Sequence, residues 1–288
     1  MRYAIIANPV SGGMTITEKR SALAKPAEIL EAQIYGLNTG SAHEFSQCAR
    51  ELAERYDVIV VAGGDGTFSD IINSVDTSIM PIGYLPLGTG NALQYALNYK
   101  GNLADIALRI RQGMIYDYDL INCEEKKRAF MVSVGIEGMV IRLRDQYAAQ
   151  GGTGFETYFR AAFDSYLKEY KRTNARVDID GEIVEIKNLL SLIVVKQPYY
   201  GFGMNVVPKA RFDDRQLHIL WMKSKLLNFA IGGITAFAGG NRLGHYRTGQ
   251  QISVKLEHPL VLQIDGNEAW ESDAFTFTIL PNALKIKC

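Results

Sequence analysis

Val58-Ile59-Val60-Val61-Ala62-Gly63-Gly64-Asp65-Gly66-Thr67-Phe68-Ser69-Asp70-Ile71-Ile72 is the stretch on which the fold turns. Its opening run, led in by Asp57, is apolar without alternation, which predicts a strand buried on both faces of a parallel sheet. Phe68, Ile71, Ile72 and Val75 then recur at helical spacing. A strand, a glycine-rich turn and a helix in that order put the turn at the end of the sheet where α/β proteins hold ligands. The unpaired N–H groups and dipole of the helix start favour phosphate oxygens there. Asp65 would set charge against charge if it touched a phosphate, so it reads as working through a bridging Mg²⁺ or orienting a neighbouring donor. A Gly-Gly pair alone also fits a tight turn in any doubly wound fold.

Working outward, Tyr3 to Ala7 reads as a first strand and Pro81 to Leu85 as another. Ser41 and Glu44 stand at capping-box spacing before Phe45, Cys48, Ala49 and Leu52, an amphipathic helix. A further helix carries Leu103, Ile106, Ala107 and Ile110, with Asn102 as N-cap and Gly113 past its end. These alternate as an α/β domain with a Rossmann-like parallel sheet requires, over residues 1–118. After Gly113 the period changes to short β-rich runs, which make residues 119–280 a second domain: Ile115 to Ile121, Phe130 to Val134, Arg176 to Ile179, Ile183 to Ile186, Leu189 to Val195, Gln216 to Met222, Gln251 to Leu256, Leu260 to Ile264 and Ala274 to Ile279. That pattern predicts an antiparallel β-sandwich or barrel. Asp180-Gly181 is a hairpin turn within it, and one helix interrupts it, with Phe155, Tyr158, Phe159, Ala162 and Tyr166 on a face.

The 288 residues are 47% hydrophobic, enough for two domains with substantial cores. Thirty-one basic residues balance thirty-one acidic ones, which argues against nucleic acid as a partner and against permanent residence on an anionic membrane. Cys48, Cys123 and Cys288 lack metal-ligand or redox spacing and read as reduced thiols. The apolar window Leu226 to Leu243 is interrupted by Asn228, Gly232, Gly233, Gly239 and Gly240, so no transmembrane helix is expected. A cytoplasmic chain with transient peripheral membrane contact is the expectation, and a homodimer is compatible with the sequence.

Four motifs together carry a family resemblance. Asn8-Pro9-Val10-Ser11-Gly12-Gly13, Gly63 to Thr67, Leu85-Pro86-Leu87-Gly88-Thr89-Gly90-Asn91 and Tyr199-Tyr200-Gly201-Phe202-Gly203-Met204, the last followed by Pro208, Ala210, Asp214 and Leu217, resemble the diacylglycerol kinase catalytic family, including its bacterial lipid kinase and sphingosine kinase relatives. The resemblance implies an ATP-dependent kinase of phospholipid metabolism acting on a lipid hydroxyl, with Mg²⁺, and a closing segment 281–288 that returns to the first domain. It implies nucleotide contacts from Asn8, Ser11, Gly63, Gly64, Asp65, Gly66, Thr67, Ser69, Asp70, Gly88 and Thr89. Thr89 also fits a turn hydroxyl satisfying its own backbone.

Phosphoryl transfer to an alcohol needs an acceptor for the hydroxyl proton. Asp180-Gly181-Glu182 reads as a solvated hairpin tip, whereas Asp265-Gly266-Asn267-Glu268 stands where the family carries its catalytic Asp-Gly-Glu, which makes Asp265 the candidate base. The other reading of Asp265 is a turn aspartate. Glu137, in a turn Gly135-Ile136-Glu137-Gly138 where Gly-Phe-Asp-Ala is common, and Glu268 are candidates for the substrate side. Bacterial relatives bind a structural Mg²⁺ on a sandwich loop; the matching positions are Arg211, Asp214 and Gln216, the first and third through backbone oxygen, with a plain surface loop as the alternative. Lys196-Gln197 stands where an asparagine is common. Phe155, Tyr158 and Phe159, or Leu226 to Phe237, would line an apolar entrance or else belong to the core. Two other functions stay open: an NAD kinase-like enzyme on a soluble substrate, and a relative that binds nucleotide or lipid without turnover.

Overall fold

The computed structural model describes residues 1–152, 154–170, 173–223 and 226–288. The elements follow in order as β1 (Tyr3–Ala7), α1 (Ile16–Leu30), β2 (Gln33–Tyr35), α2 (Ala42–Arg55), β3 (Val58–Gly63), α3 (Asp65–Ile72), β4 (Ile82–Pro86), α4 (Ala92–Ala96), α5 (Leu103–Gln112) and β5 (Ile115–Cys123). They continue as β6 (Lys127–Ala129), β7 (Met131–Gly135), α6 (Ile136–Ala149), α7 (Gly154–Asp164), β8 (Thr173–Ile179), β9 (Glu182–Val195), β10 (Leu217–Lys223), α8 (Leu226–Phe237), β11 (His245–Gly249), β12 (Gln251–Ile264) and β13 (Asn267–Lys287). Two compact units result, Met1–Leu120 with Pro281–Cys288, and Ile121–Leu280.

In the first unit the sheet runs β2-β1-β3-β4 and closes on the end of β13, where Ile286 pairs with Ile82; every neighbour is parallel. All residues of β1 and β3 are buried, which is why both read as unbroken apolar runs. Asn102 accepts the Ala104 and Asp105 N–H groups while Asp105 returns a carboxylate to the Asn102 N–H, a complete capping box. The box expected at Ser41 is only half formed, because Glu44 turns its carboxylate to the Gly40 N–H instead. Helix α1 has no clear apolar stripe in sequence because its buried seam is Lys19, Leu23, Pro26 and Leu30. A lysine and a proline hold two of the four inward positions.

The second unit is an antiparallel β-sandwich. The long strand β9 pairs first with β8 and then, further along, with β7 and β10; β12 likewise pairs with β8 over Ile252 to Leu256 and with β7 over Leu262 to Ile264. Each strand is therefore shared between two sets of partners, with a register shift between Lys255 and Leu260 in β12. That irregularity, around His258-Pro259, is why β12 reads as two strands in sequence. The core packs Val134, Val177, Leu192, Val254, Leu262 and Phe277 between the layers.

Gly135 to Gly138 is not a turn. Gly135 ends β7 at φ +128° and Ile136 begins α6, so Glu137 lies in the first turn of a helix. A side chain at Gly135 would meet the Leu190 carbonyl oxygen at 2.4 Å, so glycine is required both for φ and for space. The expected helix face from Phe155 to Tyr166 ends as α-helix at Asp164 and continues as a π-helical turn, Ser165–Glu169. Leu226–Phe237 is helical despite Gly232 and Gly233; of the apolar entrance expected there, the side chains of 226–230 lie outside the described residues. Among the described residues no helix is long and apolar enough to cross a membrane.

Candidate functional site

Three of the four sequence motifs meet in the first unit through glycine backbones. A Cβ on Gly12, itself at φ +64°, would stand 2.4 Å from the Leu87 carbonyl oxygen. A Cβ on Gly88 would stand 2.3 Å from Gly64 Cα. Hydrogen bonds tie the same turns together: Leu87 N–H donates to Gly63 O at 2.9 Å, and Asn8 N–H to Ala62 O at 3.4 Å. The absence of side chains is thus what lets the turns after β1, β3 and β4 stack at one end of a parallel sheet.

Each turn is fixed by its own polar network. Asn8 Oδ1 accepts the Val10 N–H at 3.0 Å, and the Ser11 hydroxyl donates to Asn8 O at 3.1 Å. Asn91, in the left-handed region, donates to Gly88 O at 2.8 Å and accepts from Gly88 N–H at 3.0 Å and the Tyr84 hydroxyl at 3.1 Å. Asp65 Oδ2 accepts the Ala92 N–H at 2.8 Å and Oδ1 the Leu93 N–H at 3.1 Å. Burial raises the Asp65 pKa and these two amides oppose the rise. Its carboxylate thereby holds the start of α4 and hence the Gly88 to Asn91 turn.

Thr89 is exposed, and Ser11, Gly64, Gly66, Gly88 and Asp70 are partly so. Thr67 is buried with its side chain packed over Gly63, where a Cβ would come within 2.6 Å. Ser69 is completely buried on α3 beside Phe68. Lys19 was invisible to motif reading. It is completely buried, donates to Asn8 O at 2.9 Å and Pro9 O at 2.6 Å, and has its pKa lowered by desolvation. A lysine in the seam of an otherwise weak helical pattern was the available signal.

In the second unit the two Asp-Gly pairs adopt the same turn with different burial. Asp180 and Gly181 lie at φ +52° and +92°, Asp265 and Gly266 at +47° and +86°, both suited to two-residue hairpins. Asp180 is exposed and its carboxylate accepts the N–H groups of Gln250 and Gln251. Asp265 is 1% exposed, and its Oδ1 accepts from Phe130 N–H at 3.2 Å and Met131 N–H at 2.9 Å. The turn is braced by Arg144 of α6, which donates to Gly266 O at 3.1 Å and bonds the Tyr158 hydroxyl. Glu268 pairs with Arg142 at 2.7 Å, a hydrogen bond that holds its carboxyl below the usual range.

Glu137 has a sealed carboxyl. One oxygen accepts from the Ser191 hydroxyl, and Oε2 has no partner among the described residues. Desolvation pushes its pKa from 4.5 up to about 7, against the Ser191 bond. The native state therefore keeps a proton that the unfolded chain sheds as pH rises from 4.5 to 7, and stability falls across that interval and levels off above it. Compared with the wild type, Glu137→Gln should gain about 3 kcal/mol between pH 4.5 and 8. Urea unfolding midpoints of both proteins across that range check this; parallel curves would mean the carboxyl is solvated.

The residues expected to hold a structural Mg²⁺ do not fit one. Lys196 Nζ lies 2.8 Å from Asp214 Oδ1 and 2.6 Å from Gln216 O, two of the three expected ligand oxygens. An ammonium already neutralises the loop.

Residues 2–123 match the diacylglycerol kinase catalytic domain, and residues 130–288 match the YegS C-terminal NAD kinase β-sandwich-like domain. A diacylglycerol kinase of Staphylococcus saprophyticus is 24% identical over 280 residues, covering 92% of this chain and 88% of that protein. A diacylglycerol kinase of Staphylococcus carnosus is 23% identical over 230 residues, covering 75% and 72%. A crystal structure of a diacylglycerol kinase from Bacillus anthracis str. Sterne matches with a TM-score of 0.77 at 17% identity, over 99% of this chain and 96% of that one, a likeness of fold. With a stack of glycine turns on a parallel sheet and an antiparallel sandwich behind it in sequence, the chain belongs to the diacylglycerol kinase catalytic-domain family.

Proposed function

We propose that the chain is an ATP-dependent lipid kinase that moves the γ-phosphoryl group to a hydroxyl of a lipid such as diacylglycerol. ATP would enter with its own Mg²⁺, which would supply neutralisation of the developing charge. The N–H groups of Gly64 and Gly66, with Thr89 and the Asn8 to Ser11 turn, would hold the phosphates, and Asp265 would accept the hydroxyl proton. Two amides on one Asp265 oxygen support that role, because they fix the carboxylate against rotation.

The observation that carries a lipid acceptor, over a soluble one, is an exposed apolar ridge on α7 and α8. Phe159 is 65% exposed, Ile234 67%, and Phe155, Phe163 and Phe237 stand open beside them. The ring of Phe155 packs edge-on against Phe202 at 5.3 Å and Phe237 at 5.6 Å, joining the Tyr199 to Met204 motif to both helices. Exposed aromatic surface of this kind supports an apolar ligand or membrane contact. Phe155 and Phe159 are therefore surface, where the spacing alone favours ordinary core. Incubation with γ-labelled ATP, Mg²⁺ and extracted lipids should move label into the organic phase. Binding of ATP with no phosphorylated lipid across a broad panel would reduce the chain to a nucleotide-binding relative.

A further inference from the structure

Lys196 has no exposed surface, yet its ammonium is held by one carboxylate and one carbonyl of a single short loop. A buried ammonium persists only where anionic or strongly polar oxygens replace its water. The same donors, a carboxylate oxygen and a main-chain oxygen two residues on, are what a hard cation takes from a loop. The rest of the loop is arranged around that point. Gln216 N–H donates to Asp214 Oδ1 at 3.2 Å, and His218 Nε2 lies 2.9 Å from Asp214 Oδ2. His218 Nδ1 lies 2.8 Å from the Tyr246 hydroxyl, which fixes the ring on its far side. Lys196 itself follows β9 directly, with its N–H on Phe130 O at 2.8 Å, so the ammonium is delivered from a rigid strand end. Among the described residues no group of three or more His, Cys, Asp or Glu side chains is placed to hold a metal.

We propose that Lys196 is a built-in cation. Its ammonium occupies the place a divalent ion would take on the Arg211 to Gln216 loop, and this chain neither binds nor needs a metal there. A Mg²⁺ bound to Asp214 Oδ1 and Gln216 O would stand in contact with the ammonium, so the two are mutually exclusive. The sandwich is then indifferent to chelators, and any metal requirement of the chain is confined to the ion that accompanies nucleotide. This inference is independent of the kinase reading.

Thermal unfolding of the nucleotide-free chain, in chelator and in millimolar Mg²⁺, tests it without an activity readout. The wild-type midpoint should be the same in both. Lys196→Ala should lower it by about 10 °C in chelator, and Mg²⁺ should restore several degrees; Lys196→Ala with Asp214→Asn should show no restoration. A wild-type midpoint that rises with Mg²⁺ and stops rising in Asp214→Asn overturns the proposal. So does a Lys196→Ala protein that is as stable as wild type, or one that Mg²⁺ leaves unrescued, since Lys196 would then be an ordinary ion pair. If Lys196→Ala does not fold, titration of the wild type with Mn²⁺, read by water-proton relaxation, decides alone: no site supports the proposal, and a site lost in Asp214→Asn overturns it.

Discussion

Asp265→Asn should lower phosphoryl transfer by about 10²–10⁴-fold, the usual worth of a positioned general base, with little change in the unfolding midpoint. The substitution is chosen to separate chemistry from structure. Asparagine keeps an oxygen that can accept the Phe130 and Met131 N–H groups, and it tolerates the φ of +47° that the hairpin imposes. What it loses is the anion that takes a proton. ATP affinity should be unaffected, because Asp265 is assigned to the acceptor hydroxyl. If the rate is unchanged while the midpoint drops, Asp265 is a turn aspartate that holds β7 to the β12–β13 hairpin, and the base lies elsewhere.

Gly88→Ala should weaken ATP binding by about 10-fold to 100-fold, the equivalent of the 1–3 kcal/mol that overpacking costs. The added methyl would lie 2.3 Å from Gly64 Cα and 2.8 Å from Asn91 Oδ1. Neither neighbour is the free end of a flexible side chain, so the two turns must part, and the Gly64 and Gly66 amides move with them. Gly40→Ala is the control, since its Cβ would make only an ordinary contact with Glu44 at 3.6 Å. Calorimetric titration of both variants with ATP reads the difference. Equal affinities would detach the turn from the nucleotide.

The parts of the fold legible in sequence were those where local chemistry and burial agree. Val58 to Ala62 is buried on both faces and reads so; Asn102 caps α5 as its residue type suggests, and Gly113 stands just past the helix end, in extended backbone; the two Asp-Gly pairs are hairpin tips. What stayed hidden were the places where tertiary structure overrides composition. The α1 seam carries Lys19, which looks like a surface residue until the Asn8 and Pro9 carbonyls are placed beside it. Gly135 looks like a turn because glycine permits φ of +128°, and only the close Leu190 carbonyl explains why a strand and a helix join there. β9 and β12 bend between partners and so look like pairs of short strands.

The candidate site divided in the same way. Its glycines were legible because close backbone approach leaves a compositional trace. The partners of its charged residues were not, because they come from distant segments: Ala92 and Leu93 for Asp65, Phe130 and Met131 for Asp265, and Lys196 for Asp214. Lys196 shows how one residue changes the expectation. The ligand oxygens are present in sequence, but a lysine eighteen residues before Asp214 takes them.

The most direct test of the account offers both acceptors at once. The wild-type chain is given γ-labelled ATP and Mg²⁺ with diacylglycerol in mixed micelles and NAD in the aqueous phase, and the label is partitioned between phosphorylated lipid and NADP. A lipid kinase of this design puts label in the lipid product, dependent on Asp265, and none in NADP. Label in NADP with none in lipid would contradict it.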